Sequence, residues 1–180
     1  MILRRLAKAD LNDLRALWRE GLMQFPASFL MTVEEAADIS DATLLTGFES
    51  GAYLGVLIED RLVGFAVLRR GGLSRISHAA DLGPFYISSA YQRQGLAKAL
   101  LAHVLDHARE AGVRQIELCV DAENSAGQAL YLQAGFRPFG LRPRSVIIGD
   151  KPRNDVLMLC PLDGALAADA IQSLAKQVLD

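Results

Sequence analysis

The feature that most constrains the fold is a strand pattern that passes, through a short polar loop, into a helix beginning at a glycine. The strand-like segment is Phe85-Tyr86-Ile87, and apolar residues recur at helical spacing after Gly95. The first turn of that helix contains no carboxylate. Because the first N–H groups of a helix lack intrahelical acceptors and carry partial positive charge, such an open end suits a phosphate. We therefore predict a phosphate loop at Gln92 to Lys98, although a helix that merely happens to start with a glycine fits the same pattern.

The order of the remaining patterns indicates a mixed sheet with helices on its faces, and not the steady alternation of a doubly wound fold. Asp10 and the capping box Thr32–Glu35 mark two early helix starts, and Pro84 predicts a bulge or a separation of strands. Strands are predicted at residues 2–5, 53–58, 62–68, 78–88, 114–120, 136–141 and 156–159. Helices are predicted at residues 10–20, from 32 to before 51, and at 95–111, 125–134 and 164–179.

Length and composition restrict the class of protein. The chain has 180 residues, of which 51% are hydrophobic and 22% are charged, and its net charge is −2. These values are typical of one globular domain and give no electrostatic footprint for nucleic acid. No apolar run approaches the roughly 20 residues of a membrane span, and the N-terminus lacks the apolar stretch of a secretory signal. Cys119 and Cys160 show no metal-ligand spacing, so we expect reduced, buried thiols in a cytoplasmic protein.

A second constellation follows the phosphate loop. Asn124 stands at the entry to a predicted helix, and Tyr131 comes seven residues later, almost two helical turns on. Their side chains can therefore point the same way. Gly135-Phe136 then ends the helix. A capping asparagine and a half-buried tyrosine, each common by itself, would give the same pattern.

Together these segments resemble the GNAT superfamily of acyl-coenzyme A-dependent N-acyltransferases. Gln92-Arg93-Gln94-Gly95-Leu96-Ala97 matches the family's phosphate motif, Gln/Arg-x-x-Gly-x-Gly/Ala, in full. Asn124 through Leu130-Tyr131 to Gly135-Phe136 matches its second landmark. The resemblance implies an α/β fold of the α+β type, with a mixed central sheet of about seven strands flanked by helices. It covers residues 1–162 as an acetyltransferase domain, which leaves residues 163–180 as a C-terminal helical extension.

The resemblance also implies a set of roles. Acetyl-CoA would be the acyl donor, held by Ile87, the phosphate loop, Asn124 and Tyr131. The residues of the phosphate loop carried over in this way are Gln92, Arg93, Gln94, Gly95, Leu96, Ala97 and Lys98. The Ile87 N–H would stabilise the oxyanion, and Tyr131 would protonate the leaving thiolate, because a phenol with a pKa of about 10 is protonated at neutral pH.

The general base is open between two residues. Some family members place a catalytic carboxylate at the position of Asp81, which shares a strand face with Ile87 if the alternation survives Pro84. His78 is the other candidate, since its intrinsic pKa suits proton removal better. A solvated aspartate and a surface histidine explain the pattern equally well. His103 and His107 stand four apart on a helix, but without a third ligand we expect no metal.

The acceptor pocket of the family implies substrate-binding roles for Trp18, Phe25, Phe29 and Arg142. Arg142 opens a basic segment that ends at Arg153. This segment could bind a carboxylate or phosphate of the acceptor, or the 3′-phosphate of coenzyme A, and it could equally be a solvated hairpin. The predicted reaction is direct attack by a primary amine of a small molecule or peptide on acetyl-CoA in a ternary complex, by a monomer or homodimer. Two alternatives are a non-catalytic acyl-CoA sensor and an assembly module.

Overall fold

The computed structural model describes residues 1–164, and a seven-stranded mixed sheet flanked by helices is its framework. The strands are β1 (Ile2–Arg5), β2 (Tyr53–Ile58), β3 (Arg61–Arg70), β4 (Ala79–Ile87), β5 (Gln115–Asp121), β6 (Arg137–Ile148) and β7 (Lys151–Pro161). They lie in the order β1-β2-β3-β4-β5-β7-β6. The β4–β5 pair is parallel, whereas β1–β2, β2–β3, β5–β7 and β6–β7 are antiparallel. The predicted fold class is therefore confirmed.

The helices are α1 (Leu11–Gln24), α2 (Val33–Asp38), α3 (Asp41–Glu49), α4 (Leu96–Glu110) and α5 (Ser125–Gln133). Two helices stand where one was predicted after Thr32. The chain turns extended at Ile39, and the Ser40 hydroxyl accepts a hydrogen bond from the Thr43 N–H at 3.2 Å, which caps a new helix. The predicted helix at residues 164–179 lies outside the described residues.

Asp10 does not cap α1 with its side chain, contrary to prediction. The carboxylate instead accepts hydrogen bonds of 2.7 and 2.9 Å from the Arg4 guanidinium and one of 2.7 Å from the Ala7 N–H. The side-chain hydrogen bond from Arg4 is the main reason that the pKa of Asp10 lies below its usual value. Partners three and six residues before Asp10 thus take the place of the helix N–H groups that follow it.

The last hairpin is longer than predicted. Strands were predicted only at residues 136–141 and 156–159, with a charged segment between them, yet β6 and β7 run to a turn at Gly149-Asp150. Their ladder continues from Arg142–Asp155 to Ile148–Lys151 across an irregularity after Arg142. Antiparallel strands with a solvated face carry charges readily, so charge was a poor guide to the strand ends.

Two compact units can be distinguished in the chain. Among the described residues, the first comprises 1–69 and 82–104, and the second comprises 70–81 and 105–164. In the first, Leu14, Leu17 and Trp18 of α1 pack in a core that includes Phe65. In the second, Phe136 and other fully buried residues form the interior. Within residues 1–164, no helix is long and apolar enough to cross a membrane.

Candidate active site

The two glutamine side chains of the phosphate loop form hydrogen bonds with backbone carbonyls of the same chain. The Gln92 side-chain amide donates to the Ile87 carbonyl at 3.0 Å, and the Gln94 amide donates to the Ala90 carbonyl at 3.4 Å. Both residues were predicted to bind the donor. The structure gives their side chains a different task, which is to fix the connection between β4 and α4. The backbone N–H of Gln92 also donates within the chain, to the Ser89 carbonyl at 3.5 Å, so of the two residues Gln94 is the one whose backbone N–H could serve a ligand.

The backbone N–H groups from Arg93 to Lys98 form the open part of the loop. The first helical hydrogen bond of α4 runs from the Ala99 N–H to the Gly95 carbonyl at 3.0 Å. The backbone N–H groups of residues 93–98 have no hydrogen-bond acceptor within the described part of the chain. The loop thus presents a run of donors at the positive end of a helix dipole, and this fits a phosphate or pyrophosphate.

Gly95 is needed for its backbone conformation. Its φ is +79°, in the left-handed region that side chains rarely adopt, and Arg93 also has a positive φ, of +61°. A Cβ added at Gly95 would meet no atom within 4 Å. The space beside Gly95 is therefore open in the chain itself, and this leaves room for a ligand to approach the backbone.

A carboxylate that sequence reasoning missed lies at the end of β4. Oε1 of Glu20, on α1, accepts hydrogen bonds from the Tyr86 hydroxyl at 3.0 Å, the Ser88 hydroxyl at 3.0 Å and the Ser89 N–H at 2.9 Å. Burial by itself would raise the pKa of Glu20, but the hydrogen bonds from Ser89, Tyr86 and Ser88 outweigh it and lower the pKa. Glu20 is therefore ionised at neutral pH. No local signal could have indicated it, because its partners are 66 to 69 residues away.

Tyr131 is a buried phenol in the second unit. Its side chain packs edge-on against Phe136, with ring centroids 5.6 Å apart. Burial raises the pKa of Tyr131 well above its usual value, and the electrostatic interaction with Cys119 acts in the same direction. The hydroxyl consequently keeps its proton at neutral and mildly alkaline pH, which is the state that a general acid requires.

Asn124 caps α5, which is the structural role that the sequence analysis gave as the alternative to ligand binding. Its Oδ1 accepts a hydrogen bond from the Gly127 N–H at 2.9 Å. That oxygen is therefore committed to the helix end. The predicted contact with a pantetheine arm stays a prediction, and the side-chain amide nitrogen is the group that could make it.

The two base candidates lie near the start of β4. Asp81 is exposed, and it is the last β4 residue in register with β5, opposite Glu117. His78 is exposed as well. Ile87, in contrast, is buried, with 5% of its surface exposed. Asp81 and Ile87 therefore differ in exposure, although both belong to β4. The assignment of the base stays a prediction.

The aromatic residues predicted to bind the acceptor separate into two kinds. Trp18 and Phe29 are each only 6% exposed and belong to the core of the first unit, where Phe29 packs against Tyr86. Trp18 also lines a cavity of about 340 Å³ beside α1 and α2. Phe25 is 42% exposed, and it is the member of the set that can meet a ligand at the surface.

The basic segment of the last hairpin is partly neutralised. The Arg153 guanidinium pairs with Asp121 at 2.7 Å and with Glu123 at 2.6 Å. Arg142 is exposed and stands opposite Asp155, a buried acid that sequence reasoning also missed. Arg142 thus stays a predicted substrate residue, whereas Arg153 has a structural partner. Cys119 and Cys160 are free thiols, and residues 1–164 contain no group of three or more side chains able to hold a metal.

Comparisons with known proteins place this geometry in a family. The model of the acetyltransferase (GNAT) family matches residues 14–136, which include the phosphate loop and Tyr131. The ribosomal protein bS18-alanine N-acetyltransferase of Escherichia coli K12 is 29% identical over 109 residues, which are 57% of this chain and 74% of that protein. The N-alpha-acetyltransferase RimI of Mycobacterium tuberculosis is 35% identical over 96 residues, 51% of this chain and 56% of that protein.

Solved structures support the fold. A ribosomal-protein-alanine N-acetyltransferase from Brucella melitensis superposes with a TM-score of 0.77 at 23% identity, over 90% of this chain and 100% of that chain. A phosphinothricin acetyltransferase from Sinorhizobium meliloti, solved in complex with acetyl-CoA, gives 0.77 at 21% identity, over 89% and 88%. At these identities the likeness concerns the fold alone. With the family model covering most of the chain, the conclusion is plain: this protein is an acyltransferase that belongs to the GNAT acetyltransferase family.

Proposed function

We propose that this protein transfers an acetyl group from acetyl-CoA to a primary amine, by direct attack within a ternary complex. The observation that carries the proposal is the run of N–H groups from Arg93 to Lys98, for which residues 1–164 supply no acceptor. Such a run suits the pyrophosphate of coenzyme A. Arg93 and Lys98 are both exposed, so their charges add to the attraction. When bound, acetyl-CoA would supply the thioester that the amine attacks.

The chain's own residues have distinct roles in this proposal. The Ile87 N–H would stabilise the oxyanion, and Tyr131, kept protonated by its burial, would give a proton to the departing sulfur. Asn124 would bind the pantetheine arm. Asp81 would remove the proton of the amine through water, with His78 as the second candidate. We propose these roles on the match to the family's motifs.

The acceptor is proposed as a primary amine of a small molecule or a peptide. Several relatives are named as acetyltransferases of the alanine of ribosomal protein bS18, and this supports a peptide whose first residue is alanine as the first probe. The exposed Phe25 and Arg142 would lie on the acceptor side. Trp18 and Phe29, in the core, would shape the pocket from beneath.

The test begins with the melting temperature of the full chain with and without acetyl-CoA. Saturation at 100 times the dissociation constant stabilises a fold by about 2.7 kcal/mol, which is an easily visible shift. Release of free thiol is then measured with the alanine peptide and with a panel of small primary amines. A shift with thiol release supports the proposal. A shift without release from any amine favours a sensor, and the absence of a shift removes acetyl-CoA as the donor.

A further inference from the structure

The uneven use of the two oxygens of Glu20 carries an inference about the acceptor. Oε1 accepts three hydrogen bonds of 3.0 Å or less and a fourth from the Ser89 hydroxyl at 3.2 Å. Oε2 accepts only the long bond of 3.3 Å from the Ser88 hydroxyl, among the described residues. A carboxylate has about four acceptor sites shared between its two oxygens. Oε1 is therefore crowded, while Oε2 retains capacity for another donor.

The charge of Glu20 is stabilised by neutral hydrogen-bond donors and not by a cationic side chain. Its hydrogen bonds lower the pKa, so the group is an anion, and the side chain is half-buried. Among residues 1–164 it forms no ion pair with a lysine or arginine, unlike the buried Asp10 and Asp121, which each pair with an arginine. Because Oε2 has acceptor capacity left and the group is an anion, an ammonium from outside the chain could form a charge-assisted hydrogen bond with it.

The aromatic partner of this carboxylate, Tyr86, packs against two further rings, Phe25 and Phe29. Tyr86 donates to it, and the exposed ring of Phe25 lies with its centroid 6.1 Å from that of Tyr86. Gly21 allows the backbone of α1 to lie close to the Phe29 ring, because an added Cβ at Gly21 would lie 2.7 Å from that ring. Tyr86 and Phe29 are buried, so Phe25 is the ring of this group that a ligand can reach. A carboxylate near an exposed aromatic ring is a combination that can recognise an ammonium group.

The location also fits an acceptor. Ser88 and Ser89 directly follow Ile87, the proposed oxyanion residue, and the Ile87 carbonyl is bound by Gln92 of the phosphate loop. All of these residues belong to the first unit. We propose that Oε2 of Glu20 binds the ammonium form of the acceptor, which makes Glu20 a residue that selects cationic amines over neutral compounds of the same shape. This inference rests on the proposed function, since it assigns the acceptor of that reaction.

The experiment is a calorimetric titration of the full chain with 2-phenylethylamine and with its neutral counterpart, 2-phenylethanol, at pH 7. Glu20→Gln keeps the shape and an acceptor for Ser89 but removes the charge. We expect it to weaken binding of the amine about tenfold, as the loss of a hydrogen bond to a charged group implies, and to leave the alcohol unaffected. Glu110→Gln, at an exposed carboxylate of α4, is the matched control and should bind the amine as the natural protein does.

Two results would overturn the inference. One is equal affinity of the natural protein and Glu20→Gln for the amine, and the other is failure of the natural protein to prefer the amine to the alcohol. If Glu20→Gln fails to fold, Phe25→Leu, at an exposed position, takes its place and should lose about threefold for the amine only; equal affinities would then count against the inference. Titration of the same samples with acetyl-CoA separates the two proposals, because loss of donor binding alone contradicts acetyl transfer and not the ammonium site.

Discussion

The phosphate loop and Tyr131 belong to one proposed reaction, yet the loop acts through backbone groups and Tyr131 acts through a side chain. The loop offers backbone N–H groups, while the side chains of Gln92 and Gln94 bond to carbonyls of the chain. Tyr131 offers a single buried side chain whose surroundings hold its proton. A site made of backbone depends on conformation and tolerates most side-chain changes, whereas a site made of one phenol depends on one oxygen atom. Substitutions at the two places should therefore have different signatures.

The largest expected effect is that of Tyr131→Phe. Removal of the hydroxyl takes away the proposed proton donor, and we expect kcat to fall about a hundredfold or more. The dissociation constant for acetyl-CoA should change by less than about threefold, because the phosphate loop is untouched. Steady-state kinetics and calorimetry measure the two quantities. Tyr53→Phe, at a half-buried phenol of β2, is the control and should leave both unchanged. Full turnover by Tyr131→Phe would contradict the assignment of the acid.

Gly95→Ala should have the next largest effect, and it should fall on binding. Gly112 provides an unusually close control: its φ is +75° against +79° for Gly95, and an added Cβ meets no atom within 4 Å at either position. Both substitutions should therefore cost about 1 kcal/mol of folding free energy, measured by urea unfolding. Only Gly95→Ala should weaken acetyl-CoA binding, about tenfold, since only there does the backbone face the ligand. Equal affinities in the two variants would refute the backbone site.

The same contrast explains how far the sequence could lead. The starts of α4 and α5 were predictable because a glycine at an open helix end and a capping asparagine act over a few residues. Glu20 was not, since its role depends on Tyr86, Ser88 and Ser89, far along the chain. The capping rule also misassigned Asp10, whose carboxylate pairs with Arg4 and does not cap α1 with its side chain.

Burial of side chains was the other limit of the sequence. Trp18, Phe25 and Phe29 were all assigned to the acceptor pocket. In the structure Trp18 and Phe29 are buried in the core, whereas Phe25 is exposed at the surface. In the last hairpin Asp155 is only 4% exposed, although aspartate is a residue type that is usually found at the surface. A sequence reports which side chains are apolar or charged. It does not report which of several similar residues the packing will cover.

A smaller effect is expected at Lys98, where a side chain adds to the backbone site. Its ammonium is exposed, so solvent screens its attraction for a phosphate. We expect Lys98→Ala to weaken acetyl-CoA binding about threefold at low salt, and less at 0.5 M salt. Lys8→Ala, at another exposed lysine, is the control for a general change in charge. A loss at Lys98 as large as that at Gly95 would show that the side chain, and not the backbone, dominates the loop.

The smallest expected effect concerns the pH dependence of turnover, and it follows from the burial of Tyr131. A general acid works only while protonated, so turnover is lost as the pH rises through the pKa of the phenol. Burial raises the pKa of Tyr131 above the usual value of about 10, and this moves the loss to higher pH. We expect kcat at saturating substrates to change by less than about twofold between pH 8 and pH 9.5, measured by thiol release. The Tyr131→Phe variant, assayed over the same range, shows any pH dependence that arises elsewhere in the chain. An alkaline loss centred below pH 9.5 in the natural protein, and absent from Tyr131→Phe, would mean that the phenol titrates as an exposed one does.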